Sequence, residues 1–166
     1  VITAIVIDIE RIGDYTKNIV ELAAGLPEPF DGGELSEEFL DLEGIVDKMF
    51  EDLMPALVDS DQELARGILR SHKSVSGRVE RGLQLLRSDQ VLRGQSGKAV
   101  TAALYLRYLK RVSAHLKNVA TSVVNPFHRI GYKEKGAETG LPSFQSKEEA
   151  EIMDELEELE GDESRD

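Results

Sequence analysis

One fourteen-residue pattern occurs twice in the chain, one hundred residues apart, and both times its spacing is helical. Residues 7–20 and 107–120 align without a gap. Arg11, Lys17 and Asn18 recur as Arg111, Lys117 and Asn118, and Ile9, Ile12 and Ile19 become Leu109, Val112 and Val119. In the first copy Ile2, Ile5, Ile9, Ile12, Ile19 and Ala23 stand three, four or seven apart, the spacing of one helix face. A helix over residues 2–25 therefore buries an apolar stripe. Its other side carries a ridge of Glu10, Asp14 and Asn18, four residues apart, to which Glu21 returns after about three turns. Two carboxylates at i, i+4 repel by roughly 0.2–0.5 kcal/mol. A bound cation reverses that cost, because hard and borderline cations take carboxylate oxygens. The second copy keeps the packing residues and loses the acids: Lys110 stands for Glu10 and Ala114 for Asp14. Packing is thus common to both copies, and a metal role is confined to the first.

These residues carry a resemblance. Glu10-Arg11-Ile12-Gly13-Asp14 with Asn18-Ile19, and Arg107-Tyr108-Leu109-Lys110-Arg111-Val112 with Asn118-Val119, resemble the repeated signature of the PhoU family of phosphate-uptake regulators. The likeness covers about residues 1–130. It implies an all-α helical bundle of two similar three-helix halves. On this reading residues 1–25 are the last helix of a first repeat. Residues 36–130 are a complete second repeat, and residues 131–166 are a linker and acidic tail. About two helices of the first half would precede Val1, which opens inside a periodic helix without a cap. The family's Glu-x-x-x-Asp metal motif implies Glu10 and Asp14 as metal ligands. Lys110 and Ala114 imply a second site absent or rebuilt. The implied partners are a phosphate transporter and, in many bacteria, a sensor histidine kinase.

Composition narrows the chemistry. Aromatics make up 5% and Trp is absent, which suits packed aliphatic helices. Without Cys, disulfides and thiolate sites are excluded. The three His are not at ligand spacing on one helix, so the divalent or trivalent metal ion that the resemblance implies is expected at an oxygen-ligand site. Residues 146–166 hold eleven Asp/Glu against Lys147 and Arg165, and account for −9 of the net −12. That balance argues against nucleic acid as partner. No apolar run reaches membrane-spanning length and no signal peptide is evident, so a cytoplasmic protein is expected, peripheral to the membrane through partners only.

Along the chain, Gly25, Pro27 and Pro29 end the first helix. A second helix starts near Ser36, read as its N-cap, and carries Phe39, Leu42, Val46, Met49, Phe50, Leu53 and Leu57 inward. Pro55 should kink or end it. Its acids Asp41, Glu43, Asp47, Glu51 and Asp52 read as a solvated face, with the sharper alternative that one or two join Glu10 and Asp14. Ser60 and Glu63 predict a capping box for a third helix to about Leu86. Gly67, Gly77 and Gly82 within it suit close approach of another helix. Gly94 to Lys98 lacks the spacing of a nucleotide-binding loop and reads as the start of a fourth helix over 97–124. Val100, Leu104, Leu109, Val112, Leu116, Val119 and Val123 are its predicted core. His72, Tyr105, Tyr108 and His115 read as packing or boundary residues. Residues 127–144 are expected to be irregular. A short acidic helix after Ser146 bears Ile152, Met153, Leu156 and Leu159 on a narrow seam.

No nucleophile–base–orienter set emerges, and the Glu-x-x-His pairs of di-iron bundles are missing, which argues against an enzyme. The expected function is a metal-binding regulator of phosphate uptake acting by contact. Apolar surface left open on the first helix favours a homodimer. The alternatives are a metal-free helical adaptor and the soluble regulatory domain of a sodium–phosphate symporter.

Overall fold

The structure is a computed structural model that describes residues 2–125, with side chains from Ile5 onward. The described residues all fall within one unit of the chain, Val1–Lys135. The predicted irregular segment and acidic helix lie outside the described residues. Among the described residues the order is α1 (Ile2–Ala24), a 3-10 turn (Gly33–Leu35), α2 (Ser36–Val58), α3 (Gln62–Arg87) and α4 (Ser96–Val124). This is an all-α fold. α2, α3 and α4 pack mutually as a three-helix bundle, and α1 lies mainly against α4. A closed four-helix bundle, which the short connections would permit, does not form.

Local chemistry decides the ends. α1 stops where the Gly25 amide bonds back to Glu21 and Pro27 follows. Ser36 does not cap α2 with its side chain. The 3-10 turn runs straight into the helix, and its own i→i+3 bond, Leu35 N to Gly32 O at 3.0 Å, stands where a cap would. Pro55 does not end α2, because its carbonyl still accepts from the Asp59 amide at 3.0 Å. The α3 cap is Asp61, one residue beyond the predicted Ser60. Ser60 takes a left-handed φ of 53° to reverse the chain, so the next residue is left to cap. Asp61 Oδ1 accepts from the Glu63 and Leu64 amides at 2.9 and 3.0 Å. Glu63 pairs with Arg70 instead of reaching back.

The core is aliphatic: Leu42 and Met49 from α2, Ile68, Val75 and Val79 from α3, Leu106, Leu116 and Val119 from α4. Leu109 and Val112 are buried as predicted, but Val100 and Leu104 are 60% and 38% exposed. Leu104 stands five residues before Leu109, a spacing that no helix row provides; the inward row runs through Ala102 and Leu106. Phe50 is also exposed, and Ala56 turns in beside the half-buried Leu57. Of the three glycines in α3, only Gly82 marks a close approach: a Cβ there would stand 3.0 Å from Leu106 Cδ1. At Gly67 and Gly77 the nearest atoms belong to arginines of the same helix. The α3–α4 loop docks by Leu92, buried in the core, whose amide donates to Glu34 Oε2 at 3.2 Å. Lys98 pairs with Asp31 at 2.8 Å at the start of α4, as a helix-start loop rather than a phosphate cradle.

Candidate functional site: the two faces of helix α1

The inward row of α1 is Ile5, Asp8, Ile12, Tyr15, Ile19 and Leu22, an alternation of three and four. Ile9, predicted to be inside, is 55% exposed, because the row passes through its neighbour Asp8. An acid thus sits in an otherwise apolar seam, and α4 supplies its partners. His115 Nδ1 donates to Asp8 Oδ1 at 2.7 Å and Asn118 Nδ2 donates to the same oxygen at 3.1 Å. Tyr15 stacks on His115 at 5.7 Å and tilts against Tyr108 at 6.2 Å. At the offset of one hundred, Asp8 corresponds to Tyr108 and Tyr15 to His115. The two contacts exchange under that correspondence, so α1 and α4 meet about a local pseudo-two-fold. The signal in the sequence was Asp8 itself, seven residues before Tyr15 and between Ile5 and Ile12. Asp8→Ala leaves the His115 and Asn118 donors without their acceptor, and we expect a loss of about 1–3 kcal/mol. Asp8→Asn, which keeps an acceptor oxygen, should lose less; urea unfolding of the three chains decides this.

Glu10 and Asp14 lie on the exposed ridge, as their spacing requires. Asp14 Oδ2 is 3.3 Å from Arg11 Nη1, with both side chains more than half exposed. The acids of α2 do not join them. Asp41 and Glu38 hold Arg78 of α3, with Arg78 Nε and Nη2 donating to the two Glu38 oxygens at 2.7 and 2.6 Å. Asp52 holds Lys48. Glu43 accepts from the Tyr105 hydroxyl, and burial, with this carboxylate adding to it, pushes the Tyr105 pKa up. Part of the predicted solvated face of α2 is therefore tied to α3 and α4. Among the described residues no group of three or more His, Asp or Glu is gathered as a metal shell. Two carboxylates fill part of a hard-cation shell of six or more oxygens, and the rest of such a shell must be water or another molecule's groups.

The other exposed face of α1 is apolar or small: Val6, Ile9, Gly13, Thr16 and Val20. One hundred residues on, the same positions are Leu106, Leu109, Ser113, Leu116 and Ala120, all buried against α2 and α3. The face by which α4 enters its bundle is the face that α1 presents outward. The end of the inward row lines a groove of about 410 Å³, with Ile19 and Leu22 joined by Leu26, Phe30, Phe39 and Leu40.

Comparison with known proteins finds two similarities. The family profile of the PhoU domain matches residues 39–123, the span of α2 to α4. The phosphate-specific transport system accessory protein PhoU homolog 1 of Thermotoga maritima is 28% identical over 137 residues, which is 80% of this chain and 59% of that protein. The chain therefore spans less than two thirds of this relative. No solved structure matches. A profile that covers half the chain, on the three-helix bundle of α2 to α4, places the protein in a known group: the chain belongs to the PhoU family.

Proposed function

We propose that this protein regulates phosphate transport by contact with other proteins rather than by catalysis. The observation that carries this reading is the match of the PhoU-domain profile to residues 39–123, the α2–α4 bundle. Val20 is 62% exposed and Ile9 55%, on a helix that rests mainly on one neighbour. The outward row of α1 is the surface we assign to such contact, with Gly13 at its middle. In this reading the row joins two copies as a homodimer, and the transporter and a sensor histidine kinase are the larger partners. The protein works in the cytoplasm and meets the membrane only through them. No helix among the described residues is long and apolar enough to cross a membrane. Glu10 and Asp14, on the same helix beside this row, would hold a divalent or trivalent cation with oxygens from water or a second molecule completing the shell.

Sedimentation of the full chain with and without added Mg²⁺, Mn²⁺ or Fe³⁺ tests both parts. We expect a dimer that Ile9→Asp/Val20→Asp converts to monomer. We expect metal to co-purify with the parent and raise its melting temperature, by about 2.7 kcal/mol of stability at a hundredfold excess over Kd. Glu10→Ala/Asp14→Ala should lose that gain and keep its fold. A parent that stays monomeric removes the dimer. A parent indifferent to every cation makes the ridge a solvated face and the protein a metal-free adaptor.

A further inference from the structure

Burial and pairing single out one acid of the described fold. Residues 1–61, which build α1 and α2, hold sixteen Asp/Glu against three Lys/Arg. Among the described residues five acids are half-buried: Asp8, Glu38, Glu43, Asp52 and Asp61. Four of them are met by a basic side chain or by backbone amides. Asp8 accepts from His115 and Asn118, Arg78 holds Glu38, Lys48 holds Asp52, and Asp61 caps α3. Glu43 has only the Tyr105 hydroxyl, a neutral donor on one of its two oxygens. A half-buried carboxylate without a cation is costly, and a cation from another molecule removes that cost. Glu43 lines the groove of about 410 Å³ formed by α1, the α1–α2 loop, α2 and α4. Ile19, Leu22 and Leu26 line it at i, i+3 and i+7 along the end of α1, a length of about two helical turns. On α2, Leu40 is 68% exposed beside it. The rings of Phe30, Phe39 and Tyr105, which also line the groove, follow one another with centroids 5.7 and 5.6 Å apart.

We infer that this groove is the docking site for an amphipathic helix of a partner protein, one that lays apolar side chains against α1 and α2 and sets a Lys or Arg on Glu43. Charge selects a basic partner. Glu43 lacks a cation, and the part of the chain that builds α1 and α2 is strongly acidic. Aromatic rings beside a carboxylate favour an ammonium or guanidinium over a neutral head. Nucleic acid and an anionic bilayer meet only repulsion from these acids. The apolar wall selects a helix. Anchors at i, i+3 and i+7 over two turns match the row that an amphipathic helix presents to a groove. None of Val6, Ile9, Gly13, Thr16 and Val20 lines the groove, so this site is separate from the outward row of α1, and the two fail separately.

The test is binding of a labelled helical peptide to the full chain, by fluorescence anisotropy. The peptide carries Leu at i, i+3 and i+7, one Lys on the same face, and Ala and Gln elsewhere. Its twin has Gln in place of the Lys. We expect the parent to bind the Lys peptide about tenfold more tightly than the twin, the order of one charge-assisted bond at a half-buried site. Glu43→Gln keeps an acceptor for Tyr105 and should bind both peptides alike. Leu40→Ser, at an exposed position, should weaken both. Glu37→Gln, which removes an exposed acid of α2 outside the groove, should leave the Lys preference in place. Absence of peptide binding at low salt overturns the proposal. So does unchanged binding in Leu40→Ser, a Lys preference that survives Glu43→Gln, or one that Glu37→Gln removes as fully. Self-association abolished by Leu40→Ser would put a second copy in the groove. Tighter binding of dodecylamine than of the Lys peptide would make it a site for small amphiphiles. Either result also overturns the proposal. Should Glu43→Gln unfold, the two peptides on the parent test the same contact, and equal affinities sink it.

Discussion

Leu106→Ala is expected to destabilise the protein by about 2–5 kcal/mol, the cost of lost transfer energy together with the cavity left behind. Leu106 is fully buried in α4 and fills the space left by Gly82 of α3. The same geometry makes a second, sharper expectation. Gly82→Ala alone should gain little, because roughly 1 kcal/mol of helix propensity is offset by a Cβ set 3.0 Å from Leu106 Cδ1. With Leu106 already cut to Ala, that contact is gone and the added methyl fills part of the cavity. The double variant should therefore be more stable than the sum of the single changes predicts. Urea unfolding of the four chains closes the cycle. Additivity would mean that the two helices readjust freely at this point.

Acidification should cost about 3 kcal/mol between pH 6.5 and pH 4 through His72 alone. Burial of this imidazole, reinforced by Lys117 and Lys110, lowers its pKa from 6.5 to about 4. Ser113 Oγ donates to the Lys110 carbonyl at 2.8 Å, so the hydroxyl receives the His72 Nδ1–H and a neutral ring satisfies the pair. In the folded protein His72 stays neutral where the unfolded chain takes up a proton. The unfolded state then binds more protons, and stability rises with pH across that window. The contribution is complete above the unfolded pKa of 6.5 and is lost as pH falls toward the folded value of about 4. A shift of this size corresponds to about 3 kcal/mol. Unfolding free energies of the parent and His72→Gln, at pH 7.5 and pH 4.5, isolate the effect from the carboxylates that both chains share. Parallel pH profiles would show that His72 is solvated and titrates normally.

Much of the helix inventory was legible, and its limits can be traced to particular residues. The spacing of Leu109, Val112, Leu116 and Val119 marked the core of α4 because that spacing admits one face only. Leu104 and Val100 are as apolar, but they are out of phase with that row, and composition alone placed them inside. Asp61 could not be told from Ser60 as a cap, since the choice rests on which residue takes the left-handed turn. Glu10 and Asp14 were found by their four-residue spacing, and they do lie together on an exposed ridge. Asp8 was passed over because an acid in an apolar row has no meaning until its partner is known. His115 and Asn118 are more than one hundred residues away in sequence.

The sequence by itself determined an all-α chain, the repeat of α1 in α4, the family, and which acids share a ridge. The helical class and the shared ridge follow from periodicity along one helix, which is local in sequence; the repeat follows from matching residues one hundred apart, and the family from the resemblance of those residues to a known signature. Only the tertiary structure decided that α1 rests mainly on α4, that Asp8 is answered by His115, and that Arg78 ties α2 to α3. It also decided that the face buried in one copy of the repeat is open in the other. Two helices with the same pattern have the same faces, but burial depends on what stands opposite each face, and that is a property of the packing rather than of the pattern.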